Sequence, residues 1–284
     1  MYNDIIFKLG EFATEAMIYE VSCFPSFGLV SPVSSGSHTD MDYFTFIDST
    51  TALNRYFLEM ASAGYSNDPI NEIFSNARKI GEKAEKAMYI KTKGVNTHKG
   101  MIFVLGLGIT ASSKILYDGG DFNEISKLIK DMTTGIVESE LKNLNTKTDL
   151  THGEKIFLEY GISGVRGEAE MGFPIVFDYA LGLYDSTKEL GQNNRLVQAL
   201  LGIMSRCKDT TILHRHDYET LLNLQKNSEN LISLGGFNNL DNLSEINNLN
   251  YHNEKHGISP GGCADLLALT VFLSKLKESF FPLK

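Results

Sequence analysis

The sequence predicts an all-α fold: a single compact multi-helix domain over residues 1–284, with function carried by the loops between helices. Three observations lead there. Apolar residues recur at spacings of three and four wherever a period can be read, helix starts are marked by capping residues, and no two alternating runs are joined by a hairpin turn. With a typical helix of about 11–12 residues plus connections, the length accommodates roughly ten helices.

The N-terminal stretch MYNDIIFKLGEFATEAMIYE carries acids and no continuous apolar segment, so neither a signal nor a transit peptide is expected. Val21 to Thr39 lacks Asp, Glu, Lys and Arg but is broken by serines, glycines and prolines. Ile70, Ile73, Phe74, Ala77, Ile80 and Ala84 mark one amphipathic helix, and Ile125, Leu128, Ile129, Met132 and Ile136 another. The apolar run Met101 to Ala111 is too short by itself for a membrane span. Starts are expected at Asp68 before Pro69, at Thr151 three residues before Glu154, and at Ser259 before Pro260. A further helix is expected to run through Ile175 to Leu190. Asn223 to Asn253, with ten asparagines and scattered leucines, reads as a polar surface region, irregular in part.

Composition narrows the function. At 42% hydrophobic and 21% charged the chain is an ordinary folded protein, for which a cytoplasmic location is the default. A formal charge of −9 argues against broad nucleic-acid binding, because a phosphate backbone needs a basic face. Any polyanionic ligand must be met locally or with a metal ion. Cys23, Cys207 and Cys263 are odd in number and far apart, so buried thiols are expected rather than disulfides or a zinc knuckle. Apolar helix faces bury equally well against a core or a twin subunit, which leaves a homo-oligomer open.

Glycine and polar residues cluster at four joints: residues 25–42, 92–100, 161–174 and 257–265. In SGSHTDMD, a cap at Ser37 would put His38 and Asp42 on one helical face with Asp40 elsewhere. Alternatively Ser37 and Asp40 form a capping box. In GVNTHKG, small residues lead into an apolar helix whose free N–H groups, with Lys99, offer a phosphate seat, although the spacing is not that of a P-loop. In GVRGEAEMGFP, Glu168 and Glu170 would diverge on a regular helix. On a glycine-bent segment they could converge, with Arg166 supplying a phosphate fork. The competing reading places both acids in a helix's first turn. In GISPGGCADLL, Gly261 and Gly262 permit close approach of a ligand and Asp265 is a candidate metal ligand or a simple helix-start acid. TTILHRHD adds His214, Arg215 and His216 as local positive charge.

Taken in order, PSFGLV, GSHTDMD, NTHKG, YGISGVRGEAEMGFP, TILHR and SPGGCADLL resemble the triphosphoribosyl-dephospho-coenzyme A synthases, over about residues 20 to 270. One departure is visible: after Arg215 the family commonly has two glycines, where this chain has His216 and Asp217. The resemblance implies a transfer of the triphosphoribosyl unit of ATP to the ribose 2′-hydroxyl of 3′-dephospho-CoA, with adenine released. The product is the prosthetic-group precursor of citrate lyase or a related carrier enzyme such as malonate decarboxylase, passed on to an acyl-carrier subunit transferase. The family's β-linked nucleotide becomes an α-linked product, which implies an inverting single displacement. On that chemistry Glu168 and Glu170 are expected as base and electrostatic stabiliser, and His38 or His98 as aids to adenine departure. Mg²⁺ is expected on some of Asp40, Asp42, Asp265 and the two glutamates, with Lys99, Arg166 and Arg215 on phosphate oxygens. The alternatives are an Mg²⁺-dependent all-α N-glycosidase acting on adenine nucleotides or ADP-ribose, and a catalytically silent nucleotide-binding module.

Overall fold

Thirteen α-helices and no strand make up the described residues of the computed structural model, 2–142, 144 and 150–282. They are α1 (Asp4–Ser22), α2 (Tyr43–Gly64), α3 (Ile70–Lys91), α4 (Lys99–Asp118), α5 (Glu124–Thr133), α6 (His152–Tyr160), α7 (Gly164–Glu170), α8 (Leu181–Asp185), α9 (Gly191–Met204), α10 (Thr210–Arg215), α11 (Tyr218–Ser233), α12 (Leu243–His256) and α13 (Gly261–Phe280). The all-α expectation holds.

Two helices sit at the centre because their sequences leave them no solvent face. The middle of α4 and of α13 is apolar or small round the whole circumference, a pattern that demands burial on every side. Accordingly α4 packs on α1, α2, α3, α5 and α13, and α13 packs on α1, α4, α8 and α9. A methyl group at Gly108 would lie 2.4 Å from Leu269 Cδ1, so glycine there sets how closely α4 and α13 approach. By length and composition α4 could cross a membrane. The helix containing Met101–Ala111 is twenty residues long, so burial, rather than shortness, marks it as a core helix.

Helix starts follow the sequence in part. Thr151 and Glu154 form the expected capping box. For α3 and α13 the flanking residue is the proline itself, Pro69 or Pro260. Asp68 instead takes a hydrogen bond from Ser66, and Ser259 meets His38. Neither reading of SGSHTDMD holds. Ser37 donates to the Ile258 carbonyl at 2.8 Å, and Asp42 caps α2 in a box with Thr45. The helix expected over 175–190 is interrupted: a π-helical turn at Val176–Ala180 precedes α8, and a 3₁₀ turn at Lys188–Leu190 follows it.

The asparagine-rich region is the clearest correction. It is mostly helical, and its asparagines supply side-chain amides where the backbone of other segments needs partners. Phe27, buried at φ +53°, donates its N–H to Asn250 Oδ1 at 2.7 Å and accepts from Asn253 Nδ2 at 2.9 Å. Asn242 likewise holds the carbonyls of Leu234 and Gly236. A side-chain amide offers both donor and acceptor, which a leucine or an acid in these places would not.

Asp209 joins two helices. Its carboxylate is 1% exposed; Oδ1 accepts from the N–H groups of Thr211 (2.8 Å) and Ile212 (3.3 Å) at the start of α10, and Oδ2 from Cys263 (2.9 Å) at the start of α13. His98, which flanks α4, is also buried, with Nδ1 2.7 Å from Ser49 Oγ and its ring edge-on to Phe46. Burial lowers its pKa to about 3.

Two predictions follow from these buried groups. Asp209→Ala strips three buried N–H groups of their acceptor, and should cost about 2–4 kcal/mol, or roughly 3–7 °C in Tm. A calorimetric shift under 2 °C would show that the clip is dispensable. Below pH 6.5 the unfolded chain takes up a proton that folded His98 refuses, so stability falls as pH drops from about 6.5 toward 3. The slope is about 1.4 kcal/mol per pH unit. In urea titrations at pH 7 and pH 5, His98→Gln should lose about 2 kcal/mol less than the native protein over that interval; equal losses would contradict the assignment.

Candidate active site

The segment GVRGEAEMGFP folds as a two-turn helix bracketed by glycines. Gly164 (φ +55°) opens α7 and Gly172 (φ +82°) ends the turn after it. A regular helix sends residues two apart to different faces, and the three charges separate accordingly. Glu170 accepts the N–H of Gly135 at 2.7 Å, tying α7 to the end of α5. Arg166 points the other way and donates to Glu140 Oε2 at 2.6 Å. Glu168 lines a cavity between α7 and the starts of α10 and α13. The expected convergence of Glu168, Glu170 and Arg166 is therefore not what the chain adopts, because the glycines bound the helix instead of bending it.

Two cavities flank α7, and Val165 lines both. The first, about 260 Å³, lies between α3 and α4. Its floor is apolar and its rim carries Arg78, Lys99 and Arg166 with Glu82, Glu85 and Glu140. The second, about 250 Å³, is bounded by residues 161–168, Lys208, Asp209, Thr210 and Gly262. Here burial raises the pKa of Glu168, and the N–H of Ile175 at 3.4 Å and the charge of Lys208 offset that only in part. A carboxylate held in this way is a stronger base than an exposed one. A more open hollow of about 600 Å³, beside Lys127, Lys130 and Lys277, contains none of the six sequence blocks.

Between the cavities stand the first turns of α4 and α13. A methyl group on Gly100 would lie 2.0 Å from Asp265 Oδ2, so Gly100 is the notch that admits this carboxylate. Asp265 has no hydrogen-bond partner among the described residues. Burial raises its pKa well above the ordinary value, and the charges of Glu20 and Asp209 add to that. Glu20, on α1, is 4% exposed, its Oε2 lacks a partner, and burial pushes its pKa up to about 8. Glu20, buried in the last turn of α1, and Asp265, half-buried in the first turns of α13, are poorly satisfied carboxylates that feel each other's charge, a pair that fits a hard divalent cation with oxygen ligands. Gly261 and Gly262 let α10 pack against α13, with Gly262 facing the Asp209 carboxylate and Gly261 facing Thr211, and Gly262 also lines the second cavity.

The remaining candidates fall elsewhere. Arg215 ends α10 and donates to His38 Nδ1 at 3.3 Å, which leaves Nε2–H of His38 to face Ser259 Oγ at 3.0 Å. Burial, and then the charge of Arg215, lowers the His38 pKa to about 4. Both shifts favour the neutral imidazole of His38 and of His98 near pH 7. Asp40 is exposed, 3.8 Å from His38 Nδ1. Asp42 spends Oδ1 on the Thr45 N–H and hydroxyl. Lys99 pairs with Glu85 at 2.6 Å on the rim of the first cavity. His216 and Asp217, where the resemblance expects glycines, make an ordered turn: His216 bonds the Gly257 carbonyl and Asp217 caps α11. Cys207 and Cys263 are buried thiols whose sulfurs lie with an Asp209 oxygen within 4.8 Å of one another; Asp209 is already committed to backbone amides.

Sequence reasoning missed Glu20, Arg78, Glu140, Lys208 and Asp209. A signal existed for two of them. Asp209 directly before two threonines and an apolar run is an N-cap pattern, and Glu20 interrupts the apolar stripe of Ala16, Met17 and Val21. Glu140 and Lys208 reach the cavities only through the packing of distant segments.

Comparison with known proteins follows the geometry. A family model described as "CitG: ATP:dephospho-CoA triphosphoribosyl transferase" matches residues 6–280. A "Probable 2-(5''-triphosphoribosyl)-3'-dephosphocoenzyme-A synthase" of Lactiplantibacillus plantarum is 38% identical over 266 residues, covering 92% of this chain and 94% of its own. A protein of the same description from Streptococcus pyogenes is 32% identical over 295 residues, covering 98% and 99%. "Protein CitXG" of Leuconostoc mesenteroides is 39% identical over 274 residues, covering 94% of this chain but 58% of that longer protein. No solved structure matches. Matched from end to end by the family model and at full length by such relatives, the chain belongs to the ATP:dephospho-CoA triphosphoribosyl transferase family.

Proposed function

We propose that the cavity lined by Glu168 is where the triphosphoribosyl group of ATP passes to the 2′-hydroxyl of 3′-dephospho-CoA. Adenine leaves, and the product is 2′-(5″-triphosphoribosyl)-3′-dephospho-CoA, the precursor of the citrate lyase prosthetic group. The family match over residues 6–280 supports the reaction. The observation that carries its placement is Glu168: a carboxylate of raised pKa in a cavity built from two of the sequence blocks and the segment 206–210 between them.

The 2′-hydroxyl attacks the anomeric carbon of the ATP ribose from the face opposite adenine. Glu168 takes the hydroxyl proton as the new bond forms, and its charge offsets the positive charge growing on the ribosyl carbon. The proton removed from the acceptor equals the one adenine gains, so the step is balanced without a covalent enzyme intermediate. Lys208, whose charge reaches Glu168, favours negative charge at this cavity. Mg²⁺, held by Asp265 and Glu20, would neutralise triphosphate charge that a −9 protein otherwise repels. His38 and Arg215 position the 25–42 loop against Ser259 rather than act on the base. The longer relative, which this chain matches over 58% of its length, supports delivery of the product to a transferase for an acyl-carrier subunit. A cytoplasmic location suits substrates of this kind.

Incubation of the pure protein with ATP, Mg²⁺ and dephospho-CoA should yield a coenzyme heavier by one triphosphoribosyl unit in mass spectrometry. Glu168→Gln should lower turnover on the order of 10²–10⁴-fold while Tm moves by about 2 °C or less. Adenine release that needs no dephospho-CoA would instead identify a hydrolase. For the metal, Mg²⁺ at about ten times its Kd should stabilise the native protein by roughly 1.4 kcal/mol. Asp265→Asn and Glu20→Gln should abolish that thermal shift while raising Tm in chelator, because each removes the cost of protonating the carboxyl on folding. An undiminished shift in both variants would place the ion elsewhere.

A further inference from the structure

The first cavity, between α3 and α4, lies on the other side of α7 from Glu168. Its floor is formed by Met60, Phe74, Ile102, Phe103 and Leu107, none of which offers a strong hydrogen-bond donor or acceptor on its side chain. Its rim carries three cations, each already facing a carboxylate. Lys99 pairs with Glu85, and Glu140 spans two arginines, with Oε1 on Arg78 and Oε2 on Arg166. Burial works against ionisation of Glu140, yet the two guanidiniums outweigh it and hold the carboxyl below its usual range. A carboxylate bridging two guanidinium forks occupies the geometry that bidentate arginines offer to phosphate oxygens.

We infer that this cavity receives the pantetheine arm of the acceptor, and that Arg78 and Arg166 clamp its diphosphate after displacing Glu140. The inference rests on the reading that this chain uses dephospho-CoA. An apolar floor next to a cationic rim matches a ligand whose branched, dimethylated pantoyl segment adjoins a diphosphate. Glu82 and Glu85 on the rim provide acceptors for the arm's amide N–H groups. Adenine would leave its ring nitrogens unpaired on such a floor, which a site built for a base avoids. Val165 is the wall shared with the Glu168 cavity, so an acceptor seated here brings its ribose toward the proposed base. Glu140 holds the place of the phosphates and keeps the two arginines aligned in their absence.

The test is equilibrium binding of dephospho-CoA, 4′-phosphopantetheine and a non-reactive ATP analogue with Mg²⁺ to the full-length protein and four variants. Arg78→Ala should weaken dephospho-CoA and 4′-phosphopantetheine on the order of tenfold and leave the ATP analogue unchanged. Glu140→Gln should tighten both acceptor ligands, since it removes the competing carboxylate. A methyl group on Gly81 would meet only Met60 Cε at 3.6 Å and Ile102 Cγ2 at 3.8 Å, ordinary contacts that the fold accommodates. Gly81→Ala should therefore bind normally, and Gly81→Leu should fill the cavity and lose the acceptor ligands while keeping native Tm. Arg78 is half-exposed, so its variant reports on binding even if Gly81→Leu misfolds. Loss of the ATP analogue with retention of 4′-phosphopantetheine would assign the cavity to the donor and overturn the inference, as would unchanged affinity for every ligand. Product formation by the native protein, followed by mass, is the separate readout: its absence would overturn the reaction itself, and its presence alongside unaffected variants would overturn only this cavity's role.

Discussion

Asp209 is the contact on which the site's geometry depends. A buried carboxylate is costly unless its oxygens find donors, and here both find them at helix N-termini, where unpaired amides and the dipole favour negative charge. One side chain thereby fixes the start of α10 to the start of α13. From the first hang Lys208, one residue before the clip, and Arg215 at the far end of α10. From the second hang Gly262 and Asp265. Arg215 then reaches His38, and His38 reaches Ser259 just ahead of α13, so the 25–42 loop closes a ring of contacts that starts and ends at one carboxylate.

The charge problem posed by composition has a local solution. A protein of net charge −9 does not attract a triphosphate, yet the cavities carry Arg78, Lys99, Arg166 and Lys208 within a few turns of one another. The acids nearby divide into two kinds. Glu85 and Glu140 are neutralised by cations already present, whereas buried Glu20 and half-buried Asp265 have raised pKa and few donors. The second kind is stable only if protonated or met by a cation, which is what supports placing the proposed Mg²⁺ on them.

How much of this was legible in the sequence depends on how local each feature is. Helical period gave the all-α class and the buried stripes of α3 and α5, since amphipathicity is a property of neighbouring residues. Of the three expected starts only Thr151–Glu154 stood as written, because a capping box is closed within four residues. The asparagines of α12 read as surface drift because their partner, the Phe27 backbone, lies over two hundred residues away. The same holds for Arg166, whose partner Glu140 is in a separate segment, and for Glu170, whose carboxylate is taken by Gly135. The family resemblance named the right blocks, but a block does not say which of its charges point the same way.

That last point bears on why α7 is so short. In the proposed single displacement the incoming hydroxyl and the departing base lie on opposite faces of one ribose, so donor and acceptor would approach from different sides. A long helix would bury its flanks against neighbours and close both approaches. Two turns, bounded by glycines at φ +55° and φ +82°, are enough to set Arg166 on one side and Glu168 on the other, and too few to fill the space between α4 and α10. What remains is a thin partition, with Val165 exposed to both cavities and the Asp265 carboxylate seated in the Gly100 notch behind it. Glycine at each end is a requirement of this backbone: a side chain at either position would strain the turn and shift the partition between the two cavities.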